Sequence, residues 1–142
     1  MRDEIKTAAW TLVHFELADW PILSAFRVAR ASGASTYLNP SPWRVIEPEL
    51  LALTDVLVVN EPEAMNLFGL VEPVSPQDWA QLLADIDKPI AWQGRLLVIT
   101  LGANGCMALA GEQILSMPAY EVQQVDATGA KVMPLALVWC PA

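Results

Sequence analysis

The sequence predicts an α/β protein built on a mostly parallel sheet. Three observations carry that expectation. Residues 55–59 (DVLVV) and 95–101 (RLLVITL) are nearly unbroken apolar runs, the pattern of strands covered on both faces. Amphipathic stretches with helical spacing separate the apolar runs. Polar or glycine-bearing segments then follow the strands, at the end where open α/β sheets gather their ligands.

The elements follow in order. Residues 8–15 (AAWTLVHF) read as a buried strand. Residues 20–31 place Ile22, Leu23, Phe26 and Ala29 on helical spacing, and Gly33 fits the position just past the helix end. Residues 35–38 form a short strand, which Asn39-Pro40-Ser41-Pro42 stops by removing donors and fixing φ. Residues 48–53 read as a short helix. The apolar strand 55–59 ends at Asn60, and a helix over 61–68 follows, with Pro62 in its first turn and Gly69 closing it. Ser75-Pro76-Gln77-Asp78 opens another helix that runs to about residue 86, with Ser75 as N-cap. After the strand 95–101 come a glycine turn at 102–105, a strand over 106–110, a tight turn at Gly111-Glu112 and a strand over 113–116. Residues 120–125 read as a last strand. The order is β-α-β-α-β-α-α and then a run of strands, so antiparallel strands should lie toward one side of the sheet.

Composition narrows the function classes. The chain has 142 residues, 54% hydrophobic and 17% charged, which excludes disorder as the default. Its formal charge is −8, which argues against nucleic-acid binding and against a polybasic membrane surface. Two cysteines with no CxxC spacing give neither a disulfide framework nor a zinc site. The charged N-terminus has no apolar signal core behind it. Residues 133–142 are the longest uncharged apolar stretch, about half of the ~20 that a membrane span requires. A soluble cytoplasmic protein is expected.

Three strand ends carry candidate chemistry. Asn60 and Glu63 can point an amide and a carboxylate into one pocket, as Mg²⁺ bound with phosphates prefers. The same pair also reads as a capping box that only closes the helix end. Thr100, Gly102 and Gly105 lie in a segment whose glycines let a phosphate or ribose approach the backbone. A tight turn between strands would want the same glycines. Asp126, Thr128, Gly129 and Ala130 resemble the approach to a helix N-terminus, where free N–H groups hold anions. Pro134 sits where that helix would need its early turns, so the anion site is incomplete. The only histidine, His14, reads as a partly buried structural residue. The six tryptophans are scattered and read as packing.

In this order, Tyr37-Leu38-Asn39-Pro40-Ser41-Pro42, DVLVVNEPEAMNLFG, LLVITLGANG and VDATGA resemble the ribokinase-like, or PfkB-type, family of carbohydrate kinases. The NPSP turn leans toward the ribokinase branch. The resemblance covers nearly all of residues 10–130 and corresponds to the middle and later part of the family's chain. It implies a three-layer αβα fold, here truncated, and ATP-dependent phosphoryl transfer to a sugar hydroxyl. It further implies that Asn60 and Glu63 arrange Mg²⁺ and the ATP phosphates, and that Thr100, Gly102 and Gly105 line the nucleotide site. Asp126 and Thr128 match positions of a monovalent-cation (K⁺) site. Gly129 and Ala130 begin the GAGD motif, whose backbone forms an anion hole and whose Asp takes the proton from the sugar.

The chain departs from that motif. Lys131 stands at its second glycine and Val132 at its Asp, and valine has no titratable group. Residues 1–130 are therefore expected to be a partial nucleotide-binding domain, and residues 131–142 an atypical tail. Lys131-Val132-Met133-Pro134-Leu135 can be encoded by AAG GTG ATG CCT TTG. Read two bases further in, this gives Gly-Asp-Ala-Phe, so an out-of-frame tail is a hypothesis that sequencing the gene would test. The expected partners are a nucleotide and a ribose-like sugar, with self-association through unpaired sheet edges. The alternative to an impaired kinase is a non-catalytic nucleotide-binding or structural remnant. An unrelated α/β domain with coincidental motifs is the third reading.

Overall fold

The computed structural model describes residues 2–119, apart from 73, 76, 86–91 and 93. Six strands form one sheet in the order β1-β2-β3-β4-β5-β6. They are β1 (Trp10–His14), β2 (Ser35–Asn39), β3 (Val56–Asn60), β4 (Leu96–Thr100), β5 (Cys106–Ala110) and β6 (Gln113–Met117). The first four run parallel, β5 pairs antiparallel with β4, and β6 pairs antiparallel with β5 at one side. This is the expected α/β topology. The helices are α1 (Arg2–Thr7), α2 (Asp19–Ala31), α3 (Pro48–Ala52), α4 (Glu61–Phe68) and α5 (Asp78–Asp85). The expected strand at 120–125 lies outside the described residues, and no described helix is long and apolar enough to cross a membrane.

Period-2 alternation sorts the strand residues onto two faces. One face carries Leu38, Leu57, Val59, Leu97, Ile99 and Met107, packed in one cluster with Ile22 and Phe26 of α2, Leu50 and Leu51 of α3, Ala64 of α4, and Trp79 and Leu83 of α5. The described helices α2 to α5 thus make a single layer on that face. Val56, Val58, Val98 and Cys106 form a second cluster on the other face. The apolar runs 55–59 and 95–101 were uninterrupted because β3 and β4 are central and buried on both faces.

Helix ends follow their local signals. Gly33 at φ +77° stands just past the α2 C-cap, Ser32, and Gly69 at φ +66° closes α4. The Ser75 expectation needs correcting. Its hydroxyl donates to the Asp78 carboxylate at 2.6 Å, and α5 begins at Asp78, later than Ser-Pro implied. The α1 helix was not foreseen, since its six mixed-charge residues show no apolar period.

Loops at the carboxyl end of the sheet are tied together by Arg44. Its Nε donates to Asp19 Oδ1 at 2.8 Å, and its two terminal nitrogens donate to the carbonyls of Phe15 and Leu17. The guanidinium also lies 4.0 Å from the centre of the Phe15 ring, within cation–π range. One side chain therefore binds the loop after β1 to the loop after β2.

Candidate functional site

The parallel strands β1 to β4 bring their carboxyl ends to one rim. Asn60 is the last residue of β3 and stands opposite Thr100, the last of β4. The helix α4 starts directly after Asn60, with Pro62 in its first turn. Asn60 Oδ1 accepts from the Glu63 N–H at 2.9 Å, and Glu63 Oε2 accepts from the Asn60 N–H at 2.9 Å. This is the reciprocal capping box, with Glu63 only 4% exposed. Glu63 Oε1 takes no hydrogen bond from the described residues. The neighbouring Glu61 accepts from the indole N–H of Trp79 at 3.3 Å, which fixes α4 against α5.

Beyond Thr100 the chain makes a tight 3₁₀ turn, Gly102–Asn104. Leu101 N–H donates to Gly105 C=O at 2.8 Å, and Gly105 N–H to Gly102 C=O at 3.1 Å. The two glycines do different things. Gly102, at φ +58°, faces open space among the described residues: a methyl added there would meet nothing within 4 Å. Gly105, at φ +86°, lies against the chain leaving β6, where a methyl would collide with the Met117 carbonyl and come within 2.7 Å of Ala119 N. Gly105 is thus required by the close approach of two backbones, and Gly102 by its left-handed φ beside an open surface.

The structure brings Asn60, Glu63, Thr100 and Gly102 to one end of adjacent strands. Asp126, Thr128, Gly129, Ala130 and Val132 lie outside the described residues. One other side chain differs from expectation. His14 is exposed, with Nδ1 3.9 Å from Glu16 Oε2, and is not a partly buried residue, because no described strand lies beyond β1. Cys106 stands opposite Thr100, and burial pushes its thiol pKa up, which disfavours a nucleophilic thiolate there.

Sequence reasoning passed over Asn39. It ends β2 opposite His14, and its Oδ1 is buried with no hydrogen-bond partner among the described residues. The available signal was an amide at a strand's carboxyl end, the placement that had singled out Asn60. The prolines that follow drew the reading to chain termination.

No group of three His, Cys, Asp or Glu among the described residues could hold a metal ion. Glu63 is a buried carboxylate with one oxygen that takes no hydrogen bond from the described residues, beside the Asn60 amide. That suits a Mg²⁺ held chiefly by waters and substrate phosphates, not by a protein cage.

The fold and this rim define an open α/β protein whose polar strand ends gather around a glycine turn. Residues 22–130 match the pfkB family carbohydrate kinase model, so the chain belongs to that family. It is similar to a ribokinase of Staphylococcus aureus (strain COL), with 34% identity over 131 residues, 91% of this chain and 41% of that one. It is also similar to the crystal structure of Sa239, with a TM-score of 0.75, 33% identity, 89% of this chain covered and 41% of that chain. The structure of Arabidopsis thaliana ribokinase complexed with ribose and ATP shares the fold at a TM-score of 0.73 and 22% identity, over 87% of this chain and 39% of that chain. The chain spans between about a quarter and two-fifths of the length of the curated relatives it matches.

Glu63→Ala is expected to remove one arm of the capping box and to lower stability by about 1 kcal/mol. Thermal unfolding of the variant checks this. The Gln variant, which keeps an acceptor for the Asn60 N–H, should recover most of the loss.

Proposed function

We propose that this chain carries the nucleotide-phosphate end of a ribokinase-like sugar kinase and that, by itself, it binds ATP without transferring the phosphoryl group. The observation that carries the reading is the juxtaposition at the β3 and β4 carboxyl ends: Asn60 and Glu63 on one strand end, and Gly102, with open space before it among the described residues, on the next. Backbone N–H groups of the glycine turn and of the α4 N-terminus can face phosphate oxygens there. Mg²⁺, when bound with the nucleotide, would neutralise phosphate charge, and Asn60 and Glu63 are the residues that would hold it. Ribose or a related sugar is the acceptor proposed by analogy with the relatives' names.

The impairment rests on the sequence. Val132 stands where the family resemblance places the proton acceptor, and losing a general base costs about 10²–10⁴-fold in rate. K⁺ at Asp126 and Thr128 is part of the same proposal. One observation favours a second reading, a structural remnant. The capping box already accounts for Asn60 Oδ1 and Glu63 Oε2 without any ligand.

Calorimetry with ATP, with and without Mg²⁺, separates the two, alongside a coupled assay with ribose. Mg²⁺-dependent binding without sugar-dependent turnover is the expected result. No binding by the folded chain would favour the remnant. Ribose-dependent turnover well above background would overturn the impairment.

A further inference from the structure

The parallel strands β1, β2, β3 and β4 end alike, on His14, Asn39, Asn60 and Thr100. The residue before each of them, Val13, Leu38, Val59 or Ile99, packs into the core cluster beneath the helices. Period-2 alternation therefore sets the four polar residues on the other face. Two residues back on β2, β3 and β4, Tyr37, Val58 and Val98 belong to the apolar cluster of that face. A row of polar strand ends thus borders an apolar surface, at the rim that also carries Glu63 and Gly102.

Within that row, Asn39 has a buried oxygen, Oδ1, that accepts nothing from the described residues. Asn60 Oδ1 is taken by the Glu63 N–H, and Thr100 Oγ1 lies 3.4 Å from the Val59 carbonyl. His14 stands opposite Asn39, but its Nδ1 lies beside Glu16. The other buried oxygen without such a partner, Thr11 Oγ1, lies mid-strand on the helix-covered face. A buried acceptor left unpaired costs stability, and native proteins keep few of them. An apolar residue of the same shape would spare that cost, and this face is otherwise rich in them.

Asn39 also stands near enough to Asn60 to share a ligand with it. The pairing of Tyr37 with Val56 and of Leu38 with Leu57 sets Asn39 level with Val58, one pleat short of Asn60 on the adjacent strand. Strand spacing and rise put the Cα atoms of Asn39 and Asn60 about 8 Å apart, a span that two amide side chains and one small group between them fill. We propose that Asn39 is a ligand-binding residue of this rim, its Oδ1 accepting a hydrogen bond from an O–H group that the substrates bring. An amide oxygen and an unprotonated phosphate oxygen are both acceptors and cannot pair. The donor is therefore a hydration water of Mg²⁺ bound with the nucleotide, or a hydroxyl of the acceptor sugar. This inference rests on the nucleotide-phosphate site proposed above and adds to it a residue on β2.

The test compares Asn39→Leu and Asn39→Asp with the parent, all in the full 142-residue chain, by thermal unfolding and by calorimetry with Mg²⁺–ATP and, separately, with ribose. Leucine removes the acceptor and keeps the bulk. Its unfolding midpoint should stay at or above the parent's, while binding of one titrant weakens about tenfold. Aspartate keeps an oxygen at that place and should hold the same binding within about threefold. Weakened Mg²⁺–ATP binding identifies a metal-bound water as the donor, and weakened ribose binding a sugar hydroxyl. A leucine variant that binds both as tightly as the parent would overturn the role of Asn39 and leave the nucleotide site standing. So would a leucine variant that unfolds below the parent, which would make Asn39 a packing residue, or an aspartate variant that loses as much binding as leucine. A folded parent chain that binds neither ATP nor ribose would overturn the nucleotide site itself, and this inference with it.

Discussion

Asp55→Ala is expected to lower stability by about 2–4 kcal/mol, the sum of a lost charge-assisted hydrogen bond and an orphaned backbone donor. Asp55 stands just before β3 and is buried. Its Oδ2 accepts from the Thr36 N–H at 2.9 Å, and its Oδ1 from an Arg30 terminal nitrogen at 2.7 Å. A second guanidinium, that of Arg95, lies 3.8 Å from Oδ2. In return, the Asp55 N–H donates to Thr36 Oγ1 at 3.0 Å, and the Asp55 carbonyl accepts from Arg95 N at 2.7 Å. The Thr36 hydroxyl has one proton, and its shorter contact, 2.5 Å to the Leu53 carbonyl, is the one that takes it. The regular pairing of β2 with β3 covers only Tyr37–Val56 and Leu38–Leu57, so the Asp55 side chain extends the junction where backbone pairing stops.

Alanine would leave the Thr36 N–H buried without an acceptor. Arg30 is half exposed and would return to water, so most of the loss comes from the backbone donor and the opened junction. Asp55→Asn keeps an acceptor for Thr36 and should lose about half as much. Urea unfolding checks both. An alanine variant within about 0.5 kcal/mol of the parent would refute the role given to this carboxylate.

How much of this was legible in the sequence depends on the range over which the signal acts. The β3 and β4 runs were readable because central strands of a parallel sheet are apolar on both faces. The pairing of Asn60 with Glu63 was readable because both partners lie within one helical turn. The character of β1 was misread for a related reason. An apolar strand looks the same in sequence wherever it sits in the sheet, so WTLVH reads as buried, whereas Trp10 and Leu12 are exposed and no described strand lies outside β1. Asp55 was invisible as a junction residue, because its partners are 19 and 25 positions away, at Thr36 and Arg30. The two glycines after β4 were equivalent in sequence. Only the return of the chain past Met117 separates them.

That separation gives the other large effect. Gly105→Ala is expected to cost about 3 kcal/mol or more, and Gly102→Ala only about 1 kcal/mol. Both glycines have positive φ, so alanine meets a similar conformational penalty of about 1–2 kcal/mol at each. The difference lies in what surrounds the new methyl. At Gly105 it would strike the Met117 carbonyl and crowd Pro118 and Ala119, all backbone atoms that cannot rotate away. Relief requires β6 to move off β5, which breaks the antiparallel register from Cys106–Met117 onward. At Gly102 the methyl meets none of the described residues, so folding is little disturbed, but it occupies the surface that a phosphate would have to approach in the proposed site. The two variants should therefore fail in different measurements. Gly105→Ala should show a large drop in the urea midpoint, with faster amide exchange in β5 and β6. Gly102→Ala should unfold close to the parent and bind ATP more weakly by calorimetry. Equal stabilities for the two would remove the packing role of Gly105, whereas parental ATP affinity in folded Gly102→Ala would remove the glycine turn from the nucleotide site.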